Sequence, residues 1–518
     1  MKGGCKPVKR LPANSETILT RHFDGIVPER IDSYLSVGGY AGLRKALEIG
    51  PEATLGELKR AGLRARSRDT GCTADQWKVC ASQPNPDKYI LCNALDTEPD
   101  TAVHAFLMSG NPHAVIEGMM IGAVTVGASK GFLFLDKANP AIHALLVEAL
   151  GQLENHVVFD GRLLDSDYRF DLALVLLEPA FMHGEKTALI SCLEGKAPMA
   201  RLVPPDVGVR GYRGCPTVVD SAETLANVAA ILQKGSEWFA GFGTEKSRGT
   251  KLFSISGCMG NEGIVEVPFG TSLRTVLTDC CGGPAAGKEI KAVTLGGPSG
   301  ICISAESLDI PLSFEQMEEM DALFGLGSIA AYDQGTCMVD VVARQLAFSA
   351  KESCGRCVMC REGTWQLQEI IRDATIGKTK SSDPEQITEM TNGMRAGALC
   401  SIGAHAANPL VSGLRHFGSE FDDHMKKKKC PALHCNKYIT FHILPSACTG
   451  CGECVKVCGE DAIEGDEDMI HLIDPSSCTK CGKCHEVCQN IASAVVKAGP
   501  QKPMTPRKPV PVGSWKGR

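Results

Sequence analysis

The sequence predicts a multidomain chain of mixed α/β and α+β class. An α/β layer with a largely parallel sheet is followed by a compact α+β unit, a helical bundle and a cysteine-rich C-terminal unit. Three observations predict it. Short β-branched runs (KYILCNALD, AVTVGASKGFLFLD, FDLALVLLEP) alternate with helical stretches such as SAETLANVAAILQKG. Apolar residues then recur at helical spacing in QMEEMDALFG, CMVDVVARQLAFSAKESCG, TWQLQEIIRDATIG and LVSGLRHFGSEFDDHM. Finally, 14 of the 25 cysteines lie at or after Cys354, many of them in C-x2-C spacing.

The elements follow in order. Residues 1–14 read as a flexible basic tail. RIDSYLSVGGYAGLRKALE has the apolar period of helices around a glycine turn, and opens an α/β domain taken as 15–247. KLFSISGC, GIVEVPFG, TSLRTVLTDCCGG and KAVTLGG read as strands and one helix of an α+β unit, 248–330. The bundle occupies 331–425. KKKK opens a linker, 426–440, and 441–498 carries two cysteine runs. The end, 499–518, holds five prolines, five basic residues and no acids, a composition that predicts disorder.

Composition excludes several classes. At 518 residues there is material for three or four buried cores, and 43% hydrophobic with 22% charged residues is the balance of a soluble globular protein. A formal charge of -6 gives no global reason to expect nucleic acid or an anionic membrane as partner. No apolar run approaches the ~20 residues of a membrane helix. MKGGCKPVKR is basic without an apolar signal core, so the cytoplasm is the expected compartment. In that compartment dense cysteine favours metal over disulfides. The eleven cysteines before Cys354 lack such spacing and read as small core residues.

CTGCGECVKVC (448–458) and CTKCGKCHEVC (478–488) are two copies of C-x2-C-x2-C-x3-C. Three closely spaced thiolates cap one face of a cubane, and the fourth cysteine of each run is carried by the following helix to the other cluster. One [4Fe–4S] cluster is therefore expected on Cys448, Cys451, Cys454 and Cys488, the other on Cys478, Cys481, Cys484 and Cys458. The competing reading, a pair of zinc knuckles, fits two identical four-cysteine runs poorly. Gly459 and Gln489 stand where a proline usually follows the fourth cysteine. In ESCGRCVMCREGT, Cys354, Cys357 and Cys360 form a third loop, completed one helix hairpin later by Cys400 of GALCSIGAHAANP. A third [4Fe–4S] cluster is expected there, with zinc as the alternative.

ESCGRCVMCREGT resembles the cluster-binding run of the NADH-binding flavoprotein subunit of respiratory complex I. The same family includes the β subunits of multimeric electron-bifurcating iron-iron hydrogenases and NAD-linked formate dehydrogenases. GEKTALISCLEGKAPMARLVPP, GYRGCPTVVDSAETLANVAAIL, GTEKSRGTKLFSISG, EVPFGTSLRTVL and LRHFGSEF extend the resemblance over about 20–498. The appended double-cluster ferredoxin is similar to the hydrogenase-type members. The resemblance implies a Rossmann-like flavin and nucleotide domain, a β-grasp-like (SLBB-type) unit, a four-helix cluster domain and a bacterial-type ferredoxin. KCPALHCNKY adds Cys430, His434 and Cys435 at short spacing, similar to a Cys-Pro-containing element of the hydrogenase relatives. With His442 as a fourth ligand they would hold one zinc; a turn with two unligated cysteines is the other reading.

The family binds FMN through a glycine-dense loop, because glycine lets backbone N–H groups close on phosphate. Here AGLR and Trp77-Lys78 flank ARSRDTGCTADQ, in which Gly71 is the only glycine. Asn93, Glu98, Gly184 and Glu185 match the family's flavin motifs. Leu95, Asp100, Lys186, Asp220 and Ser221 depart from them. Arg64, Arg66 and Arg68 would serve as replacement phosphate ligands if the site still binds flavin; another anion is a third reading. With four elements of one site altered together, FMN and NAD(P) are expected to be absent.

The function expected is that of an iron–sulfur electron-transfer subunit in a cytoplasmic oxidoreductase complex, without independent NADH oxidation. Its partners would be a catalytic hydrogenase, formate dehydrogenase or other reductase subunit, and a separate [2Fe–2S] thioredoxin-like subunit. An FMN-dependent, NAD(P)H-oxidising and bifurcating catalytic subunit is the first alternative, a scaffold with structural clusters the second.

Overall fold

The computed structural model describes residues 9–12, 16–154 and 156–517. It divides into two compact units, the first built from Met1–Asp333, Gln345–Leu367 and Ile387–His416, the second from Gln334–Arg344, Gln368–Gln386 and Phe417–Arg518.

After a short helix, Ile31–Ser36, the first unit has helices α1 (Ala41–Ala61) and α2 (Thr73–Ala81). Then come β1 (Tyr89–Asn93), α3 (Pro112–Val126), β2 (Lys130–Asp136), β3 (Asp171–Leu177), α4 (Lys186–Leu193), β4 (Thr217–Ser221) and α5 (Ala222–Lys234). The strands form an all-parallel sheet in the order β3-β2-β1-β4, the Rossmann-like layer expected. Parallel strands need covered faces, and α3 supplies one: every residue from Val115 to Val126 is buried. Val124, Thr125 and Val126, part of a β-branched run read above with the strand, close this helix instead, and β2 starts only at Lys130. Burial in the helix outweighs their strand propensity. Gly118 lets α3 and α5 touch, since a Cβ there would sit 2.0 Å from the Leu225 carbonyl oxygen. The buried Glu117 carboxylate accepts from the Tyr34 hydroxyl (2.5 Å) and from the Tyr40 and Leu43 N–H groups (2.9 and 3.0 Å), which fixes the start of α1.

A second sheet follows: β5 (Thr250–Gly257), β6 (Gly263–Pro268), β7 (Ile290–Leu295), β8 (Ile301–Ser304) and β9 (Ser328–Asp333). Its order is β8-β7-β9-β5-β6, with β9 and β5 parallel and all other pairs antiparallel. The expected N-terminal tail needs correction. Residues 1–8 and 13–14 lie outside the described residues, but Leu11 is buried and its N–H donates to the Ile264 carbonyl (2.7 Å). An apolar side chain finds a place on the sheet edge that a basic composition does not reveal.

Four helices, α6 (Met338–Glu352), α7 (Val358–Ile376), α8 (Asp383–Gly397) and α9 (Asn408–Met425), lie within 331–425, where a helical bundle is expected. Each is shared between the two units, and in α9 the division falls at Phe417, whose backbone leaves helical values.

The second unit also contains β10 (Thr440–Ile443), α10 (Glu453–Lys456), β11 (Ile463–Glu464), β12 (Leu472–Ile473), α11 (Lys483–Gln489) and β13 (Val495–Ala498). β10 pairs with β13 and β11 with β12, both antiparallel. The end of the chain is not disordered. Ile470 donates to the Val510 carbonyl (2.7 Å) and Val512 to Asp468 (2.9 Å), so the proline-rich stretch is held as an extended strap by backbone bonds that composition does not predict. Among the described residues, no helix is long and apolar enough to cross a membrane.

Candidate metal and cofactor sites

The two ferredoxin runs fold around two separate cavities. One is lined by Cys448, Cys451, Cys454 and Cys488 with Ile443, Ala494 and Val495; the other by Cys458, Cys478, Cys481 and Cys484 with Phe441, Ile463 and Ile473. α11 delivers Cys488 to the first run, and the short helix α10 ends just before Cys458, which joins the second. Each cavity is thus lined by three cysteines of one run and the fourth of the other. Burial and the neighbouring sulfurs push the Cys454 thiol up to about 12 and Cys484 to about 11. Such thiols ionise at neutral pH only against a strong positive charge, which iron supplies.

Cys354, Cys357 and Cys360 occupy the turn into α7, and Cys400 precedes the short helix Ser401–His405. Gly403 lets that helix approach, since a Cβ there would lie 3.1 Å from the Cys360 sulfur. Burial, with Cys360 and Cys354 as neighbours, raises Cys400 to about 12. Phe181, Met182, Ala188, Ala200 and Ile402 form the apolar core beside Cys354 and Cys400.

A fourth group is tighter. Ligand atoms of Cys337, His424, Cys430 and Cys435 all lie within 4.8 Å of one another, and all four residues are buried. The Cys337 sulfur stands 3.3 Å from His424 Nε2 and 3.7 Å from the Cys435 sulfur. His424 Nδ1 lies 2.8 Å from the Glu420 carbonyl, which accepts its proton and leaves the Nε2 lone pair for a metal. Hydrogen bonds from Cys337 and Cys435 drive Cys430 far down, while the bond to Cys430 drives Cys337 far up. Three sulfurs about the spacing of tetrahedral zinc ligands thus stand around one imidazole nitrogen. This corrects the ligand set read from spacing. His434 instead pairs with Asp340 (3.2 Å), and His442, on β10, meets the Thr440 hydroxyl (2.8 Å). Cys337, read as a core cysteine, replaces one of them. It lies too far from the others in sequence for any spacing rule to find.

The arginine-bearing loop is packed into the first unit. Arg64 donates to the Thr70 carbonyl (2.7 Å) and pairs with Glu318 (2.5 Å). Arg66, 1% exposed, donates to the carbonyls of Thr250, Arg64 and Arg248 at 3.0, 2.7 and 2.6 Å, and burial lowers it to about 10. Arg68 pairs with Glu98 (2.9 Å) and lies 3.9 Å above the Phe181 ring. Burial pushes Arg68 down and Glu98 up, each against the attraction of the other. All three guanidiniums are thus engaged by the protein itself, unlike free phosphate ligands. Glu185 caps α4 by accepting from Ala188 N–H (2.7 Å), and Asn93 donates to the His183 carbonyl (2.9 Å). Gly184 lies against Arg68, whose Nε would be 2.8 Å from a Cβ. Ser67, Arg68, Asn93, His104, Lys186 and Asp220 line a pocket here. Arg68 Nε, His104 Nε2 and Asp220 Oδ1 are buried without hydrogen-bond partners among the described residues. Buried polar atoms left unpaired are what a hydrogen-bonding cofactor would complete.

Comparison with known proteins decides the family. Residues 58–230 match the model described as the Nuo51 FMN-binding domain, 340–424 the NADH-ubiquinone oxidoreductase-F iron-sulfur binding region, and 440–489 the 4Fe-4S dicluster domain. NADP-reducing hydrogenase subunit HndC of Solidesulfovibrio fructosivorans is 37% identical over 88% of this chain and 92% of its own length. The chain belongs to the NADH-binding, FMN- and iron–sulfur-type subunit family of complex I-like oxidoreductases. Another relative in it, an NADH-quinone oxidoreductase subunit of Streptomyces coelicolor, is 34% identical over 83% of this chain and 94% of its own. A crystal structure of an NAD+-reducing [NiFe]-hydrogenase in the H2-reduced state superposes with a TM-score of 0.70 at 30% identity, covering 80% of this chain and 68% of that one. The chain is an iron–sulfur subunit of this type, and its relatives are subunits of hydrogenase and complex I assemblies. The expected absence of FMN and NAD(P) is overturned: the matched FMN-binding domain spans the altered loop, and the relatives are named for NADH and NADP. Alteration of four elements of the site at once therefore does not exclude the cofactors.

Proposed function

We propose that this chain is the flavin- and iron–sulfur-carrying subunit of a hydrogenase-type oxidoreductase, passing electrons between a nicotinamide nucleotide and partner subunits. One observation carries the reading: three sets of four cysteines, each gathered from separate stretches, in a chain 37% identical to a subunit of an NADP-reducing hydrogenase. Cys354, Cys357, Cys360 and Cys400 hold one [4Fe–4S] cluster. Cys448, Cys451, Cys454 and Cys488 hold a second, and Cys478, Cys481, Cys484 and Cys458 a third. Cys337, His424, Cys430 and Cys435 hold zinc. The partners are a catalytic hydrogenase subunit and a separate [2Fe–2S] thioredoxin-like subunit.

The sheet order β8-β7-β9-β5-β6, with its first and last strands parallel at the centre, supports a β-grasp-like unit of SLBB type. A bound flavin would supply the exchange between a two-electron hydride and one-electron clusters. Around the pocket, the Lys186 ammonium, a cation, and the polar groups of Ser67 and His104 would face it. The ion pair of Lys186 with Asp69 (2.5 Å) fixes that cation in place.

Acid extraction of the anaerobically purified chain, with NAD(P)H-dependent viologen reduction, tests this reading. Stoichiometric FMN and turnover are expected. A chain free of flavin and inert toward both nucleotides would overturn it.

A further inference from the structure

A cleft of about 1010 Å³ lies along α4 and the loop that follows it. None of residues 58–78 lines it, so it is distinct from the pocket around Arg68. Its charged lining is five basic side chains, Lys196, Arg201, Arg210, Arg213 and Arg356, against one carboxylate, Glu194. Lys196 is spent on that carboxylate (2.6 Å). Arg201 is spent on the loop, donating to the Pro205 carbonyl (2.7 Å) and to that of Arg210. Arg356, whose guanidinium is steadied by the Ala200 carbonyl (3.0 Å), makes no ion pair among the described residues, and neither does Arg210 or Arg213.

Four guanidiniums gathered in one concavity with a single carboxylate repel one another, and the chain as a whole carries a formal charge of -6. Glu194 and the Tyr212 ring, 5.1 Å from the Arg213 guanidinium carbon, offset Arg213 in part, whereas no ion pair offsets Arg210 or Arg356 among the described residues, which leaves the cleft open to an anion from outside. Planar guanidinium forks match phosphate oxygens two at a time, and several around a cavity match linked phosphates better than one. A concave site of this size suits a small ligand. An acidic protein face would need a broader and flatter surface.

We propose that the cleft binds a diphosphate group, either free or carried by a nucleotide, held by Arg210, Arg213 and Arg356. This does not rest on the flavin reading above.

Isothermal titration of the anaerobically purified full chain with inorganic pyrophosphate, ADP and NADP+ tests it. One pyrophosphate per chain is expected, weakening as salt rises. Arg210→Gln combined with Arg213→Gln should weaken it at least about tenfold at unchanged iron content. Both side chains are exposed, so folding should survive. Hydrogen exchange on the unaltered chain is a second check, with protection of 201–214 by pyrophosphate expected. ADP or NADP+ binding that exceeds pyrophosphate and weakens in the double variant assigns a nucleotide to the cleft; equal binding assigns the diphosphate alone. No pyrophosphate binding, equal binding by the double variant, or binding of polyglutamate in its place would overturn the proposal.

Discussion

The Cys337 sulfur lies 3.3 Å from Nε2 of His424, a residue 87 positions later in the chain. Such a contact between buried groups joins the start of α6 to the end of α9, and Cys430 and Cys435 close around it. Purified chain should carry about one zinc. Cys337→Ser or His424→Ala should lose it and lower the unfolding temperature, while His434→Ala and His442→Ala should keep it. Elemental analysis of the four variants checks this, and retained zinc in Cys337→Ser would refute the ligand set.

The exchange of fourth cysteines between the ferredoxin runs predicts a crossed pattern of loss. Cys488→Ser should disturb the cluster of the first run and Cys458→Ser that of the second, each lowering iron by about four atoms at most. EPR of the dithionite-reduced variants reads this directly. Uncrossed losses would contradict the cavities described.

Arg68 and Glu98 form an ion pair in which neither side chain is more than 4% exposed. Removing one partner strands the other in an apolar setting, at a cost of about 3–5 kcal/mol. Arg68→Ala should be destabilised by that order in urea unfolding. Arg68→Met combined with Glu98→Leu should recover much of the loss. Strict additivity would show that the pair is not coupled.

His113 is fully buried, with Nδ1 2.9 Å from the Tyr40 hydroxyl, and burial lowers it to about 4 from 6.5. The folded state therefore binds fewer protons than the unfolded state between those values. Its contribution is complete above pH 6.5 and is lost as pH falls toward 4, by about 3 kcal/mol. His113→Gln should flatten this part of the stability profile measured by chemical denaturation.

Much of this organisation was legible in the sequence. The β-branched runs of β1, β2 and β3, alternating with helical stretches, placed the parallel sheet, and the ferredoxin runs lie so close together that spacing alone grouped their cysteines. What stayed hidden depends on contacts across long stretches of chain. Cys337 has no spaced partner, and His424 sits in an ordinary helical pattern, so spacing drew His434 and His442 into the site instead. Val124–Val126 has strand composition, yet the burial of α3 decides its form. The proline-rich end reads as disordered because its order comes from two backbone bonds to Asp468 and Ile470, invisible in composition.

The central claim is that twelve thiolates carry three clusters. Iron and acid-labile sulfide, measured per chain on anaerobically purified protein, test it most directly. About twelve of each are expected. A reproducible value of eight or fewer, in protein with all its cysteines unoxidised, would contradict the account.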